Sequence, residues 1–258
     1  MKYYWFLFHE GKLLLQKTAA GYTISCGEKA PLAITNPLFE AGNWNDTPCK
    51  TTEIEAETFP AEHDFQWVGL RETYDFIPLQ AYRVAGKAFE LLFWDKNSRF
   101  CPACGTPTLP DTAISKKCPH CGKIIFPQVS PAILVLIHRG AEALLVHARN
   151  FKKPFHGLVA GFVETGETLE ECIRREVHEE TTLEITNIRY FGSQEWPYPS
   201  QLMIGFEADY VSGEICFADH ELTEGGFFSR DNLPTLPQKL SLARKMIDSW
   251  LESTSPKE

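Results

Sequence analysis

Apolar and polar residues change rhythm along the chain, and the changes mark its expected elements. Over residues 1 to 98, short apolar runs such as Tyr4-Trp5-Phe6-Leu7-Phe8 and Lys12-Leu13-Leu14-Leu15 alternate with Gly and Pro turns, the texture of short strands. Near the end of this stretch Ala81, Val84, Ala85, Ala88, Phe89 and Leu92 recur at helical spacing, which predicts a helix over Tyr82 to Phe93. Residues 99 to 126 are compact and rich in cysteine. From Pro127 the pattern is α/β. Ala132 to Ile137 and Ala143 to His147 read as buried strands, and Thr168 to Glu180 as a helix. Ile188 to Gly192, Leu202 to Val211 and Phe227-Phe228 read as further strands. Leu242, Met246, Ile247 and Trp250 place one apolar side on a closing helix from Leu240 to Leu251. The expected division is therefore 1–98, 99–126 and 127–252, with a frayed tail from Ser253. The sequence shows no internal repeat.

Charge and cysteine usage narrow the class. The formal net charge is -9, which argues against coating nucleic acid through general positive charge, although a local pocket still fits one nucleotide end. The apolar start, Met1 to Phe8, has no cationic leader segment and no small-residue cleavage site, so it reads as a strand. No apolar run approaches the roughly eighteen residues a membrane helix needs. Four of the eight cysteines fall in two CxxC pairs. Without a signal peptide, that pattern favours metal binding in a reducing compartment over disulfides and predicts a cytoplasmic protein.

The two pairs are Cys101-Pro-Ala-Cys104 and Cys118-Pro-His-Cys121, separated by thirteen residues. Zinc takes four thiolates in a tetrahedron. Each pair supplies two, and Gly105 and Gly122 directly after them permit the tight turns. A redox dithiol needs one such pair, not two matched ones. A site closed by four thiolates has no open position for water, so one structural Zn²⁺ is expected. Cys26, Cys49, Cys172 and Cys216 are isolated and read as small core or surface residues.

Gly161 to Leu183 is the most informative stretch. Thr168 with Glu171 three residues later forms a capping box after the Gly166-Glu167 turn. Leu169, Cys172, Ile173 and Val177 fall on one face. Glu176, Glu179 and Glu180 lie at i, i+3 and i+4, so they project from one turn and repel. A solvated acidic face is one reading. A bound cation is the other, because oxygen ligands that leave room for water and phosphates suit Mg²⁺ or Mn²⁺. Arg174 and Arg175 stand where they can orient or screen these carboxylates.

This stretch resembles the Nudix box, Gly-x5-Glu-x7-Arg-Glu-apolar-x-Glu-Glu-x-Gly-apolar, with Gly161, Glu167, Arg175, Glu176, Val177, Glu179, Glu180 and Leu183 on the pattern. Thr182 replaces the late glycine; a β-branched residue adopts the left-handed conformation poorly, so the helix is expected to end differently. Downstream, Gln194-Glu195-Trp196-Pro197-Tyr198-Pro199-Ser200-Gln201 alternates prolines with aromatics and reads as a stiff, extended segment. Its rings can stack on a base and Gln194 can read a base edge; a structural corner fits equally well. The segment is similar to the SQPWPFPxS motif of NADH pyrophosphatases in the Nudix superfamily, which also carry a four-cysteine ribbon. Glu195 and Gln201 depart from that motif.

The resemblance implies an α+β chain, with a Nudix α/β/α sandwich preceded by a zinc ribbon and a β-rich N-terminal domain. It implies Glu176, Glu179 and Glu180 as metal ligands, joined by the backbone carbonyl of Ala160 and by Glu221, with Glu179 as ligand or base and two or three Mg²⁺ or Mn²⁺ ions. It also implies substrate contacts at Arg71, Phe126, Phe162, the segment Gln194 to Gln201, and Ala243. Ala113 stands near the place of an expected acidic contact. The implied reaction is hydrolysis of NADH or NAD⁺ to nicotinamide mononucleotide and AMP, with removal of NAD caps from RNA, by a homodimer. Two rival readings remain: a Nudix enzyme acting on ADP-ribose or dinucleoside polyphosphates, and a catalytically silent binding module.

Overall fold

The computed structural model describes residues 1–55, 64–151, 153–217 and 221–253. The chain forms two compact units, Met1–Gln128 with Pro197–Ser200, and Val129–Trp196 with Gln201–Glu258.

The first unit opens with β1 (Tyr3–His9), β2 (Lys12–Thr18), β3 (Gly21–Thr23), β4 (Cys26–Gly27), β5 (Phe39–Trp44), β6 (Thr47–Glu53) and β7 (Phe65–Gly69). The strand order is β5-β6-β1-β2-β3, with β4 beside β1 and β7 beside β2. β1 and β6 run parallel, and the other pairs antiparallel. The apolar run of β1 is nearly continuous because both sheet faces are covered. Trp5 and Leu7 join Leu14, Ile54, Phe65 and Trp67 on one face, under Ala30, Leu32 and Ile34. Phe8 meets Phe89 with ring centroids 5.6 Å apart. Phe89 belongs to α1 (Leu79–Asn97). This helix is longer than its apolar periodicity predicts, since Asp95, Lys96 and Asn97 add polar residues that Asn97 and Ser98 secure by donating to the carbonyls of Phe93 (2.7 Å) and Trp94 (2.6 Å).

The cysteine-rich segment adds a small antiparallel sheet of β8 (Leu109–Thr112), β9 (Ser115–Lys117) and β10 (Ile124–Ile125). Lys116 is buried and pairs with Asp95 at 2.6 Å, which ties this sheet to the end of α1.

The second unit contains β11 (Ser130–Arg139), β12 (Glu142–Ala148), β13 (Val159–Phe162), α2 (Leu169–Thr181), β14 (Glu184–Trp196), β15 (Gln201–Ser212), β16 (Leu222–Phe228) and α3 (Leu242–Glu252). Its strand order is β14-β15-β11-β12-β16, with β13 beside β11. Alternate residues of β11 serve two cores. Ile133, Val135 and Ile137 pack with Cys172, Ile173 and Val177 of α2, whereas Leu134 and Leu136 pack with Leu242, Met246, Ile247 and Trp250 of α3. The result is an α/β/α sandwich of the expected class. Between β14 and β15 the segment read as extended is a hairpin: β14 runs to Trp196, Pro197–Ser200 turn, and β15 begins at Gln201.

The two units repeat one topology, although the sequence shows no repeat. β5-β6-β1-β2-β7 matches β14-β15-β11-β12-β16, each with one parallel pair, and β4 and β13 hold the same place beside the central strand. What the first unit lacks is a counterpart of α2 between β4 and β5. Cores keep their fold when volume and patterning persist, so the pairing scheme survives without residue identity.

Candidate functional site

The glycine loop and α2 are locked together before any ligand is considered. Thr168 caps α2: its hydroxyl accepts the Glu171 N–H at 3.2 Å, while the Glu171 carboxylate accepts the Thr168 N–H at 2.7 Å. Glu167 accepts the Glu164 N–H at 2.7 Å and takes Arg175 in a two-pronged pair, at 3.0 and 2.7 Å. Arg175 also donates to Glu176 at 2.8 Å, to Glu179 at 3.0 Å and to the Phe162 carbonyl at 3.1 Å. One guanidinium thus gathers three carboxylates and the loop backbone. Hydrogen bonding to Arg175 holds Glu167 down to about 2. Glu176 moves the other way: burial pushes it up, Arg175 opposes this, and the charges of Glu179 and Glu221 add to the rise.

The three helix glutamates do not share one solvent face. Glu180 is only 3% exposed, the Glu176 side chain is 14% exposed, and that of Glu179 is 53% exposed. Glu176 rests on Gly161, beside Ala160 in β13; a Cβ there would lie 1.9 Å from the Glu176 carboxyl carbon. A backbone cradle that admits no side chain, holding a half-buried carboxylate, fits a hard divalent cation that takes oxygen ligands. Glu221 precedes β16 and its carbonyl accepts the Arg149 N–H at 2.8 Å. Arg174 does not screen these groups: it donates to the Ile185 carbonyl at 2.9 Å. Thr182 also corrects the expectation. It adopts the left-handed conformation itself (φ 59°, ψ 14°) and so ends α2 as the glycine would. Its hydroxyl donates to the Glu214 carbonyl at 2.7 Å, a bond that glycine could not make.

The cysteines form a separate centre. Sγ–Sγ distances are 3.6 Å for Cys101–Cys121, 3.5 Å for Cys104–Cys118 and 3.7 Å for Cys104–Cys121. A tetrahedron with Zn–S bonds of about 2.3 Å has edges of about 3.8 Å, so the cluster fits zinc. Two matching turns build it. The Gly105 and Gly122 N–H groups donate to the carbonyls of Cys101 (2.9 Å) and Cys118 (3.0 Å), and both glycines are left-handed, at φ 72° and 76°. Hydrogen bonds with Thr106 hold the Cys104 thiol down to about 5 and the Cys121 N–H holds Cys118 down, whereas at Cys121 the lowering by the Lys123 backbone is outweighed by the neighbouring Cys118 and Cys101 thiols, which push it up to about 11. Among the described residues, this is the one group of three or more candidate ligands whose atoms all lie within 4.8 Å of one another; the box glutamates are not gathered that tightly. Cys49 and Cys172 are buried, which pushes their thiols up to about 11 and about 12.

The remaining candidates divide between the units. In the first, Arg71 stacks over Tyr198, 4.5 Å from its ring centroid. Pro197 is buried, Ser200 donates to the Gln128 carbonyl at 2.8 Å, and the Phe126 ring is open at 55% exposure. In the second, Phe162 is 51% exposed, Glu195 is exposed, and Trp196 and Gln201 face each other across the hairpin. Gln194 differs from the expectation. It is buried, its amide donates to the Leu240 carbonyl at 2.9 Å, and Lys245 donates to its oxygen at 3.0 Å. It ties β14 to the start of α3 and does not present a base-reading edge. The strand alternation that turns it inward is visible in the sequence, but its partner Lys245 lies 51 residues away. The methyl of Ala243 packs in the α3 core, so its side chain is turned inward.

An α/β/α sandwich with a glycine loop opening into a carboxylate helix defines a Nudix hydrolase domain, and the comparisons agree. The NUDIX domain model matches residues 128–250. The NADH pyrophosphatase-like rudimentary NUDIX domain matches residues 2–94, and the NADH pyrophosphatase zinc ribbon domain residues 96–126. A protein of Pseudomonas aeruginosa named "NAD-capped RNA hydrolase NudC" is 38% identical over 83% of this chain and 77% of its own. One of the same name in Chromobacterium violaceum is 39% identical over 70% and 69%. The crystal structure of a Nudix hydrolase from Nitrosomonas europaea covers 60% of this chain and 90% of its own, with a TM-score of 0.52 and 22% identity, and so shares the fold. The chain belongs to the NADH pyrophosphatase family of Nudix hydrolases, with its zinc ribbon. Among the described residues, no helix is long and apolar enough to cross a membrane.

Proposed function

We propose that the chain hydrolyses the pyrophosphate bond of NADH and NAD⁺, yielding nicotinamide mononucleotide and AMP, and removes NAD caps from RNA 5′ ends. The observation that carries this reading is the glutamate set gathered by Arg175, with Glu176 seated on Gly161. The substrate assignment is supported by the relatives' names and by the aromatic hairpin.

The Ala160 carbonyl with Glu176, Glu179, Glu180 and Glu221 would hold two or three Mg²⁺ or Mn²⁺ ions. When bound, these ions neutralise the pyrophosphate and lower the pKa of the attacking water. Glu179, the most exposed of the helix glutamates, accepts the proton from that water at a carboxylate oxygen. The water oxygen bonds to one phosphorus and the bridging P–O bond breaks, releasing the second nucleotide. Arg175 keeps Glu176 and Glu179 aimed, and its pair with Glu167 holds the loop to the helix. Phe126, Phe162, Trp196 and Tyr198 supply stacking faces; Arg71, Glu195, Pro199, Ser200, Gln201 and the Ala243 amide complete the substrate contacts, while Pro197, expected among them, is buried and seats the turn. Cys101, Cys104, Cys118 and Cys121 hold the structural Zn²⁺. The domains run 1–98, 99–126 and 127–252, and by family likeness the enzyme is a cytoplasmic homodimer.

The test is purified protein with Mg²⁺ or Mn²⁺ and NADH, NAD⁺, ADP-ribose or NAD-capped RNA, products being resolved by chromatography. NADH or capped RNA is cleaved fastest, and Glu179→Gln loses at least about a hundredfold, as for a removed proton acceptor. Faster ADP-ribose cleavage removes the substrate assignment, and full activity in Glu179→Gln removes the mechanism.

A further inference from the structure

The turn Pro197–Ser200 connects two strands of the second unit yet packs within the first, and α1 is shaped to receive it. Gly86 sits in the interior of this 19-residue helix, where glycine is a poor helix former. A Cβ at Gly86 would lie 3.0 Å from Pro197 Cγ and 3.5 Å from its Cβ. Pro197 is buried there, so the missing side chain is the space the proline ring uses. Tyr82 lies one turn earlier on the same face, because residues four apart are helix-surface neighbours. It is 5% exposed, its hydroxyl is hydrogen-bonded with that of Tyr198, and its ring meets Tyr74 edge-on at 5.5 Å. Arg71 lies over the face of the Tyr198 ring, and Ser200 anchors the end of the turn to Gln128.

We infer that Tyr82 and Gly86 are positioning residues for substrate selection: α1 seats Pro197 and Tyr198, and thereby makes the N-terminal domain part of how the enzyme distinguishes dinucleotides. This rests on the reading above that the Trp196–Ser200 segment contacts the substrate. The domain repeats the Nudix sheet without a carboxylate helix, so it brings no second catalytic centre. What it brings is rigidity for a turn that would otherwise have to be ordered on binding. Ordering a recognition segment in advance improves affinity by removing that cost. Tyr82 acts through the Tyr198 hydroxyl, and Gly86 through the depth at which Pro197 sits.

The experiment compares wild type, Tyr82→Phe and Gly86→Ala in steady-state hydrolysis of NADH and ADP-ribose with Mn²⁺. Thermal unfolding is measured in parallel, and NADH binding without added Mn²⁺ or Mg²⁺ is read from reduced-nicotinamide fluorescence. Loss of one hydrogen bond predicts a KM for NADH about fivefold higher in Tyr82→Phe, weaker binding by a similar factor, and kcat changed less than about twofold. Gly86→Ala, whose methyl carbon would meet Pro197 Cγ at 3.0 Å, weakens NADH binding and raises its KM with kcat changed less than about twofold; a purely structural glycine would not give that split. Wild-type selectivity and binding in both variants, with or without a lowered melting temperature, overturn the inference alone. Wild-type enzyme that cleaves ADP-ribose as readily as NADH overturns the substrate reading and this inference with it.

Discussion

Gly161→Ala isolates the steric contribution of one hydrogen-sized space. The added methyl carbon would lie 1.9 Å from Glu176 Cδ and 2.0 Å from its Oε1, and real Cβ atoms essentially never approach below 3.0 Å. Glu176 must therefore retreat by at least about 1.1 Å, and close packing gives it little slack. Its side chain is 14% exposed and held by Arg175 at 2.8 Å, so it cannot swing freely into solvent. Backbone strain is not part of the effect, because Gly161 lies outside the left-handed region. Mg²⁺ demands near-ideal octahedral geometry, and a misplacement of about 1 Å costs on the order of a hundredfold in rate. The expected loss in kcat/KM is thus about a hundredfold, or about 2.7 kcal/mol of transition-state stabilisation. The assay is NADH hydrolysis with saturating Mg²⁺, alongside circular dichroism and zinc content to show an intact fold. A folded variant within about threefold of wild type would refute the placement of Glu176 at the reacting centre.

Two further outcomes follow from other parts of the same helix. Glu167 is held down to about 2 from an ordinary value of 4.5, so its pair with Arg175 stabilises the fold above pH 4.5 and loses that effect as pH falls toward 2. Denaturant unfolding of wild type and Glu167→Gln across pH should show a gap that is widest near neutrality and closes below pH 4.5; a pH-independent gap contradicts the pairing. At Thr182, the strain of a left-handed β-branched residue, about 1–2 kcal/mol, is set against a hydrogen bond worth about 1 kcal/mol. Thr182→Gly, which relieves the first and loses the second, should therefore unfold within about 1 kcal/mol of wild type. Thr182→Val keeps the branch and loses only the bond, so it should be the less stable of the two by chemical denaturation, and the reverse order removes this account.

The parts of the site legible in the sequence are those where chemistry fixes residue type and spacing together. Four thiolates must close a tetrahedron, so Cys101, Cys104, Cys118 and Cys121 announce their centre, whereas the spacing of Glu176, Glu179 and Glu180 fits a solvated acidic face as well, and only the resemblance to the Nudix box singles them out. The fold class was readable for a related reason, since β11 buries both faces and α3 one. What was not readable depends on partners distant in the chain. Gln194 looks like a base reader until Lys245 and the Leu240 carbonyl occupy its amide. Thr182 looks like a broken helix end until the Glu214 carbonyl meets its hydroxyl. The turn at Pro197 looks extended because prolines favour that conformation locally, whereas the pairing of β14 with β15 closes it. The repeated topology was hidden because strand pairing constrains pattern and not identity.

That repetition bears on what the Nudix scaffold itself requires. In the first unit, Ala30, Leu32 and Ile34 pack over the sheet face that α2 covers in the second, and the strand order is unchanged. Three modest apolar side chains stand where the second unit has its acidic helix. The sheet with its closing helix is therefore what the two halves of the chain have in common, and the acidic helix is an addition to that frame which one half carries and the other replaces with a short apolar cover.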